Sequence, residues 1–368
     1  MNQVAMNDFR REPEALLEAE IAACERVLKS GWWILGEEVR EFEAAWASYI
    51  GAGAVVGCAS GLDAIELGLR GLGIGEGDEV ITTPMTAFAT VLGVIRAGAT
   101  AVLADIDPQT AMLSPESVRR CVSSRTKAIL LVHLYGRVGP VEELGALASE
   151  LGIHLAEDCA QAHGAAVAGR AAGGFGSFAA WSFYPTKNLG AVGDAGALST
   201  ADLKLAEKAR SLRNYGQAQR YHHTLLGMNS RLDEMQAALL RERLRYLDGW
   251  IAKRREIAHR YFAGISSASV ALMTKPEDRM RHAYHLFVVR CPWRSQLQAH
   301  LKACGVESLI HYPIPLHLQE PCGAIGRDPM GLAAAEEHAN TCLSLPCHPA
   351  LSDEEIDRVI SAVNQFKV

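Results

Sequence analysis

Long apolar runs are missing from this sequence. No stretch approaches the roughly 18 uninterrupted apolar residues that a membrane-spanning helix needs. The first twenty residues, MNQVAMNDFRREPEALLEAE, carry charges throughout and lack the apolar segment of a secretory signal. We therefore expect a protein that has no membrane span and is not exported.

A strong charge of one sign and paired cysteines are missing as well. The formal net charge of -6 provides no basic field for nucleic acid or anionic lipid, so we expect neither as a partner. The nine cysteines are odd in number, scattered and never spaced as Cys-x-x-Cys, which predicts neither a disulfide framework nor a zinc ribbon. We expect the reducing cytoplasm as the location.

The sequence does contain a regular alternation of strand and helix patterns. The apolar runs AVVGCA, EVITTP, TAVLADI, AILLVHL and IHLAEDC alternate with helical patterns, and an opening helix is predicted from Glu14 to Ser30, ahead of Gly31. Repeated strand-helix units with apolar strands indicate an α/β fold, in which a mostly parallel sheet is covered on both faces.

The length of 368 residues is enough for two domains. A long charged helical stretch from about Asp233 to Arg260 would suit a connector between them. We predict a large domain over residues 1-248, which includes the N-terminal helix, and a smaller α+β domain over residues 249-368. Ser352 followed by Glu355 fits a capping box, which predicts the start of the last helix.

Lys187 is the first candidate for chemistry. It lies in SFYPTKNLGAVGDAGAL, a glycine-rich loop between two strand-like runs. An amine nucleophile needs a partly desolvated setting that lowers its pKa and a fixed backbone that aims it. The alternative is an ordinary solvated loop lysine, which is what most lysines are.

Asp158 and Gln161 lie in EDCAQAHGA, at the carboxyl end of a predicted strand, where open α/β sheets bind ligands. A carboxylate there could keep a pyridine nitrogen protonated and so make the ring an electron sink. The alternative is that Glu157 and Asp158 merely cap the following turn.

A third candidate is the turn CASGLDA, where a strand ends and a helix begins at Ser60 and Gly61. Free amides at a helix N-terminus bind anions, and a glycine lets a phosphate approach the backbone. An ordinary N-cap with nothing bound would look the same.

Together these segments resemble the DegT/DnrJ/EryC1/StrS family of sugar aminotransferases along essentially the whole chain. The resemblance also includes ILGEEVREFE, TTPMTAFATVLGVIRAGATAVLADID, HLYGRVGP, NSRLDEMQAA and HYPIPLHLQ. It implies the fold-type I, aspartate aminotransferase-like architecture with a seven-stranded type of sheet. It also implies pyridoxal 5'-phosphate as the cofactor, with pyridoxamine 5'-phosphate as its other form.

The resemblance assigns roles around the cofactor ring. Lys187 matches the lysine that forms the Schiff base, and it would also act as the base that moves protons. Asp158 matches the partner of the pyridine nitrogen, Gln161 the residue beside the ring hydroxyl, and Phe88 the aromatic residue that stacks on the ring.

The resemblance also assigns the phosphate contacts. Ser60, Gly61, Leu62 and Ser182 match the phosphate cup, although many relatives have threonine where this chain has Leu62. Asn229 matches an asparagine that reaches the phosphate of the neighbouring subunit's cofactor, which implies a homodimer with shared active sites.

The implied reaction moves an amino group from glutamate to a nucleotide-linked keto sugar. Tyr184, in Phe-Tyr-Pro, favours amination at C3 of a dTDP-linked 3-keto-6-deoxyhexose; amination at C4 and a keto-sugar or cyclitol substrate are the alternatives. Tyr312 and His317 are expected to contact the sugar nucleotide, unless His317 is a surface histidine beside Pro315. Arg231 would either support the loop around Asn229 or bind the donor's carboxylate.

Four rival interpretations are weaker. Family members that remove a hydroxyl group have histidine in place of Lys187, and GFGSFA lacks the helix that a dinucleotide-binding motif needs. A metal site at Cys342, Cys347 and His348 would have irregular spacing, so no metal is expected. A regulator that binds the cofactor without catalysis is the remaining alternative.

Overall fold

The computed structural model describes residues 3-368. Residues 1 and 2, which the predicted large domain includes, lie outside this range. The strands are β1 (Ala54–Cys58), β2 (Glu79–Thr82), β3 (Thr100–Leu103), β4 (Thr126–Val132), β5 (His154–Asp158), β6 (Ala166–Val167), β7 (Arg170–Ala171), β8 (Ala179–Ser182), β9 (Gly196–Thr200), β10 (Gln217–Gln219), β11 (His222–His223), β12 (Ala271–Leu272), β13 (Phe287–Arg290), β14 (Gly326–Arg327) and β15 (Cys342–Leu345).

The α-helices follow the sequence pattern closely. They are α1 (Glu14–Ser30), α2 (Glu37–Ile50), α3 (Gly61–Leu72), α4 (Phe88–Arg96), α5 (Pro115–Cys121), α6 (Val141–Leu151), α7 (Leu203–Leu212), α8 (Glu234–Leu244), α9 (Leu247–Gly264), α10 (Arg294–Ala303), α11 (Ala333–Thr341) and α12 (Asp353–Gln365). In the part of the chain that the structure describes, no helix combines the length and the apolar character needed to cross a bilayer.

An eight-stranded sheet organises the structure, in the order β1-β9-β8-β5-β4-β2-β3-β14. β9 runs antiparallel to both of its neighbours, and the other adjacent pairs are parallel. This confirms the predicted α/β fold with a mostly parallel sheet. The eighth strand, β14, is a two-residue edge strand from the C-terminal third of the chain.

The apolar strands are buried because both faces of the sheet are covered. Val56 and Leu130 belong to the core on one face, whereas their neighbours Val55 and Ile129 belong to the core on the other. Successive side chains of a strand point to opposite faces, so near-continuous apolar runs are what a sheet covered on both sides requires.

The C-terminal part contains a second, antiparallel sheet in the order β12-β13-β15. Its core includes Val289, Leu343 and Val359, together with Val4 from the other end of the chain. The Val4 amide donates to the Gly305 carbonyl at 2.8 Å. The N-terminal segment and β14 therefore both pack across the predicted boundary, and the two-domain division at residue 248 stays a prediction.

Two predicted helix ends are confirmed, and one predicted helix is divided. α1 ends before Gly31, whose φ is 65°, and α12 begins with the capping box. The charged stretch from Asp233 forms two helices, because the amide of Tyr246 bonds back only three residues, to Arg243 O at 3.0 Å, and so ends α8. No glycine or proline marks this break, so the sequence pattern did not indicate it.

Candidate active site

Lys187 lies in the loop that follows β8. Its amide donates to the Tyr184 carbonyl at 2.8 Å, and the Asn188 side chain reaches the His163 carbonyl at 3.5 Å. Burial lowers the pKa of Lys187 to about 8, and the nearby Asp158 carboxylate opposes this shift only in part. The loop is thus held in place, and Lys187 is not a freely solvated lysine.

Neutral histidines take part in the environment of Lys187. Burial, with a smaller contribution from the charge of Lys187, lowers the pKa of His163 to about 3 and that of His311 to about 4. The His163 ring packs among the rings of Trp46, Trp181 and Phe183, with centroids 5.4 to 5.7 Å away. Both histidines stay uncharged near neutral pH, so they add no positive charge beside the lysine amine.

Asp158 is the last residue of β5 and is 6% exposed. Its Oδ2 accepts a hydrogen bond from Thr90 Oγ1 at 2.8 Å, and its Oδ1 accepts from the Ala160 amide at 3.1 Å. Thr90 Oγ1 also lies 2.8 Å from Thr86 Oγ1. The expected cap of the following turn is therefore present, but a carboxylate with two oxygens can accept further bonds.

Gln161 connects the candidate cofactor residues with a candidate substrate residue. Its side-chain oxygen accepts from the Tyr135 amide, and its Nε2 lies 3.3 Å from the Tyr312 hydroxyl. Burial raises the pKa of Tyr312 to about 12, so its hydroxyl stays protonated at neutral pH. Tyr312 and Gln161, 151 residues apart in the chain, thus meet at one place.

The N-terminus of α3 faces Ser182. Ser60 caps this helix by accepting a bond from the Asp63 amide at 3.1 Å, and the first amides, those of Gly61 and Leu62, have no partner within an α-helix. A Cβ atom on Gly61 would lie 2.8 Å from Ser182 Cβ. Only glycine permits this close approach, which brings a hydroxyl and free amides together.

Phe88 is the first residue of α4, two positions before Thr90, and it is 37% exposed. The Thr90–Asp158 hydrogen bond therefore places this aromatic residue near the end of β5. Tyr184 lies two residues beyond Ser182 and is 52% exposed. Both aromatic side chains have room to contact a ligand.

Asn229 is exposed and forms a bridge with Asn214. The next residue, Ser230, is buried, and its hydroxyl accepts from the Ala59 amide at 3.0 Å, just before α3. The segment that carries Asn229 is therefore fixed against the end of β1, while the asparagine itself remains accessible.

Arg231 supports the segment around Asn229, which is the first of the two roles expected for it. Its Nη1 donates to Asn214 Oδ1 at 3.2 Å, and its guanidinium lies 5.4 Å from the centre of the Tyr215 ring. His317 is buried, with Nε2 3.0 Å from Glu336 Oε1, so the alternative of a surface histidine is wrong. Contacts of Arg231 and His317 with substrates stay predictions.

The sequence interpretation missed Thr90 and Thr86. Both lie in TTPMTAFATVLG, shortly after β2, with Thr86 just before α4 and Thr90 in its first turn. β2 and β5 are both neighbours of β4, with their carboxyl ends at the same edge of the sheet. A polar residue after β2 was therefore a candidate partner for Asp158.

The fold and site together define a class of enzyme. A parallel sheet presents a desolvated lysine, a buried carboxylate and a helix N-terminus at one edge, as a lysine-bound, phosphate-bearing cofactor would require. The chain belongs to the DegT/DnrJ/EryC1/StrS aminotransferase family, whose model matches residues 14–364.

Known relatives match over nearly the full length. The chain is 44% identical over 365 residues to the dTDP-3-amino-3,4,6-trideoxy-alpha-D-glucose transaminase of Streptomyces venezuelae, covering 99% of this chain and 96% of that protein. The crystal structure of S. venezuelae DesV with a ketimine intermediate matches with a TM-score of 0.95 at 44% identity, covering 99% of this chain and 98% of that chain.

A more distant structure is also similar. NtdA from Bacillus subtilis, with bound cofactor PMP, matches with a TM-score of 0.91 at 28% identity, covering 99% of this chain and 85% of that one. These matches confirm that the fold is the fold-type I aminotransferase architecture expected from the sequence.

Proposed function

We propose that this aminotransferase uses pyridoxal 5'-phosphate to move an amino group from glutamate to a nucleotide-linked keto-deoxysugar, at C3 of a dTDP-3-keto-6-deoxyhexose type of substrate. One observation carries the proposal: burial lowers the pKa of Lys187 to about 8, and the Asp158 carboxylate lies close enough to oppose that shift. An amine nucleophile beside a buried carboxylate is the pair that this cofactor chemistry needs.

The residues present fit the cofactor at both of its ends. The missing Cβ of Gly61 lets Ser182 approach the first turn of α3, so a phosphate at this helix end would accept bonds from the Ser182 hydroxyl and from free amides. At the other end, Asp158 would hold the ring nitrogen and Gln161 would lie beside the ring hydroxyl. Phe88 would stack on the ring.

When bound, the cofactor supplies an electron sink that stabilises negative charge at the carbon from which a proton is removed. Lys187 would hold the cofactor in the resting enzyme and, once displaced by the amino donor, would move a proton to and from that carbon. A pKa of about 8 leaves a useful fraction of neutral amine at neutral pH, which a general base requires.

The Asp158 carboxylate would pair with the ring nitrogen, which must stay protonated. Thr90 and the Ala160 amide fix the orientation of this carboxylate. The nearby His163 and His311 do not compete with Lys187 for a proton at neutral pH, because burial lowers the pKa of each well below 7.

A homodimer with shared active sites is part of the proposal. Asn229 is exposed beside the α3 end, and the segment that precedes it carries Tyr221, 82% exposed, and Leu226, 90% exposed. Large apolar side chains exposed in one short segment favour a partner surface. The nine cysteines are all unpaired, which supports a reducing compartment such as the cytoplasm.

The choice of C3 rests on the S. venezuelae relative, whose name specifies a 3-amino sugar, and on Tyr184 beside Ser182. Tyr312 and His317 would contact the sugar nucleotide, and Arg231 is a second candidate for the donor's carboxylate. Selectivity among keto sugars depends on few pocket contacts. The experiment must therefore distinguish amination at C3 from amination at C4.

The test supplies 15N-labelled glutamate with a dTDP-3-keto-6-deoxyhexose and, in parallel, a dTDP-4-keto-6-deoxyhexose. NMR of the product locates the labelled nitrogen on the sugar ring. We expect label at C3 from the first substrate and little turnover of the second, with Lys187→Ala as the inactive control. Turnover of the 4-keto sugar alone would replace the proposal with C4 amination.

A further inference from the structure

A cavity of about 280 Å³ lies beside the loop that carries Lys187. Its walls are the N-terminal segment from Asn7 to Pro13, the loop from Pro185 to Asn188, the region from Arg243 to Arg254, and residues 348-350. Of the residues assigned to the cofactor, Lys187 alone lines it. The cavity is therefore separate from the phosphate cup and from Asp158.

Arg254 is a buried cation in this wall, with 5% of its surface exposed. Its Nη1 donates to three carbonyl oxygens, those of Tyr284, His285 and Cys347, and its Nε has no hydrogen-bond partner. Within residues 3-368, no carboxylate forms an ion pair with it, and burial lowers its pKa. A buried charge without a counter-charge is costly unless something else compensates it.

Two further buried polar residues belong to the lining of the same cavity. They are Arg243 and His348, at 5% and 3% exposure. Arg243 already pairs with Glu12 and Glu20, and Lys253 pairs with Glu256. Arg11 pairs with Glu355. Apart from Lys187, which would hold the cofactor, Arg254 is thus the lining cation without a carboxylate partner among the described residues.

The balance of charge in the lining is positive. Besides Lys187, four cationic side chains line the cavity, namely Arg11, Arg243, Lys253 and Arg254, against the two carboxylates of Asp8 and Glu12. Both carboxylates are already paired, Asp8 with Arg10 outside the lining and Glu12 with Arg243 within it. Water could satisfy polar groups of the lining, but it would not supply a negative charge for Arg254.

We propose that this cavity is a binding site for a small anion bearing a carboxylate or phosphate group, with Arg254 as its counter-charge. The anion would lie against the backbone of Pro185 to Asn188, so its binding would stabilise the loop that presents Lys187. The proposed amination does not require this site. Two sources share the chemistry: free phosphate and a small dicarboxylate.

The test uses the cofactor-loaded enzyme, in which the phosphate cup is filled, after dialysis into a buffer free of phosphate and carboxylates. Inorganic phosphate and malonate are titrated separately against sodium chloride of equal ionic strength. Trp250 lines the cavity, so its fluorescence reports occupancy, and the melting temperature gives a second readout. We expect a saturable fluorescence change and a higher melting temperature with one or both anions, beyond the effect of chloride.

Variants assign the signal to the cavity. Trp250→Phe should lose the fluorescence change but keep the rise in melting temperature. Arg254→Met should weaken the apparent affinity about tenfold or more, because a hydrogen bond to a charged group is lost. Lys253→Gln, at a partly exposed position, should weaken the apparent affinity for the anion about threefold. This variant tests the site if Arg254→Met does not fold. Lys275→Gln, on an exposed lysine outside the cavity, is the matched control.

The outcomes are distinct. A response to phosphate alone identifies phosphate as the ligand class, and a response to malonate alone identifies a dicarboxylate. No saturable response beyond chloride, or an affinity that Arg254→Met and Lys253→Gln leave unchanged, overturns the proposal. A protein that failed to bind the cofactor would refute the proposed function instead, while the malonate titration of the same variants would still test this site.

Discussion

Glu157 and Asp158 are adjacent buried carboxylates at the end of β5, yet their surroundings differ. Glu157 accepts hydrogen bonds from the amides of Gly173, Phe175 and Gly176, at 2.6 to 2.8 Å, and lies 2.9 Å from His133 Nε2. Among residues 3-368, the Asp158 carboxylate accepts only from a threonine hydroxyl and one amide. Successive strand residues point to opposite faces, so one carboxylate serves the loop packing and the other faces the site.

The comparison shows how a structural acid differs from one that is available for chemistry. His133 Nδ1 accepts from the Gly139 amide at 3.1 Å, so its neutral form carries the proton on Nε2 and donates it to Glu157. Every partner of Glu157 is therefore a fixed N–H donor. The Thr90 hydroxyl beside Asp158 can rotate and can accept as well as donate. The surroundings of Asp158 therefore tolerate a change of hydrogen-bond partner, and those of Glu157 do not.

The largest expected effect is on activity, from Asp158→Asn. An amide cannot keep the ring nitrogen protonated, so the rate should fall by about 100-fold to 1,000-fold, the scale for loss of one preorganised electrostatic contact. The folded state should change little in stability, because Thr90 can accept from the new amide. Single-turnover kinetics and thermal unfolding measure the two quantities. A variant that kept its activity would remove Asp158 from the mechanism.

Glu157→Gln should give the opposite pattern. The new side-chain NH2 group would face at least one of the N–H groups that now donate to Glu157, so two donors would oppose each other. We therefore expect the free energy of unfolding to fall by about 2–3 kcal/mol. The spectrum of the bound cofactor should be unchanged in the fraction that remains folded. Denaturant titration of both neighbouring variants makes the comparison. Equal destabilisation by Asp158→Asn would contradict the distinction drawn between the two carboxylates.

Lys187 should make the cofactor-free protein less stable at neutral pH. Burial lowers its pKa from 10.5 to about 8, so the folded state disfavours the charged form. One pKa unit corresponds to about 1.4 kcal/mol, so Lys187→Met should stabilise the cofactor-free protein at pH 7 by ~2–3 kcal/mol. The gain should shrink as the pH rises from about 8 towards 10.5, where the unfolded state also loses the proton.

Thermal unfolding from pH 7 to pH 10 measures this difference. Lys253→Met provides the control, since that lysine is ion-paired with Glu256. A gain for Lys187→Met that did not change with pH would show that the lowered pKa is not its source.

The smallest effect is expected for Thr90→Val. It removes the hydroxyl that orients Asp158, a hydrogen bond to a charged group worth about 1.5 kcal/mol, so the rate should fall roughly tenfold. The pH dependence of the cofactor's visible absorption should shift as well, whereas Thr90→Ser should restore both. A shift in stability alone, without the spectral change, would assign Thr90 to packing.

Much of this arrangement was predictable from local sequence. The strand-helix alternation, the end of α1 at Gly31 and the capping box of α12 depend on short-range patterns, and the structure confirms them. The resemblance to the family supplied roles for Lys187 and Asp158 that no spacing could provide, and these roles stay predictions.

The remaining features depend on contacts between distant parts of the chain. Thr90 meets Asp158 across 68 residues and Gln161 meets Tyr312 across 151, so neither pair leaves a local signal. The uncompensated charge of Arg254 is likewise visible only once its three carbonyl partners are in place. The break between α8 and α9 depends on a tight turn, and no glycine or proline is present there to indicate it in the sequence.

The most direct test of the central claim is the absorption spectrum of the purified protein, recorded before and after addition of glutamate. We predict a band in the visible range that glutamate removes, and no such response to glutamate in Lys187→Ala. That result would establish Lys187 as the residue that holds the cofactor and the enzyme as active in the first half of the reaction. A protein that stays colourless after incubation with pyridoxal 5'-phosphate would contradict the account and favour a non-catalytic role.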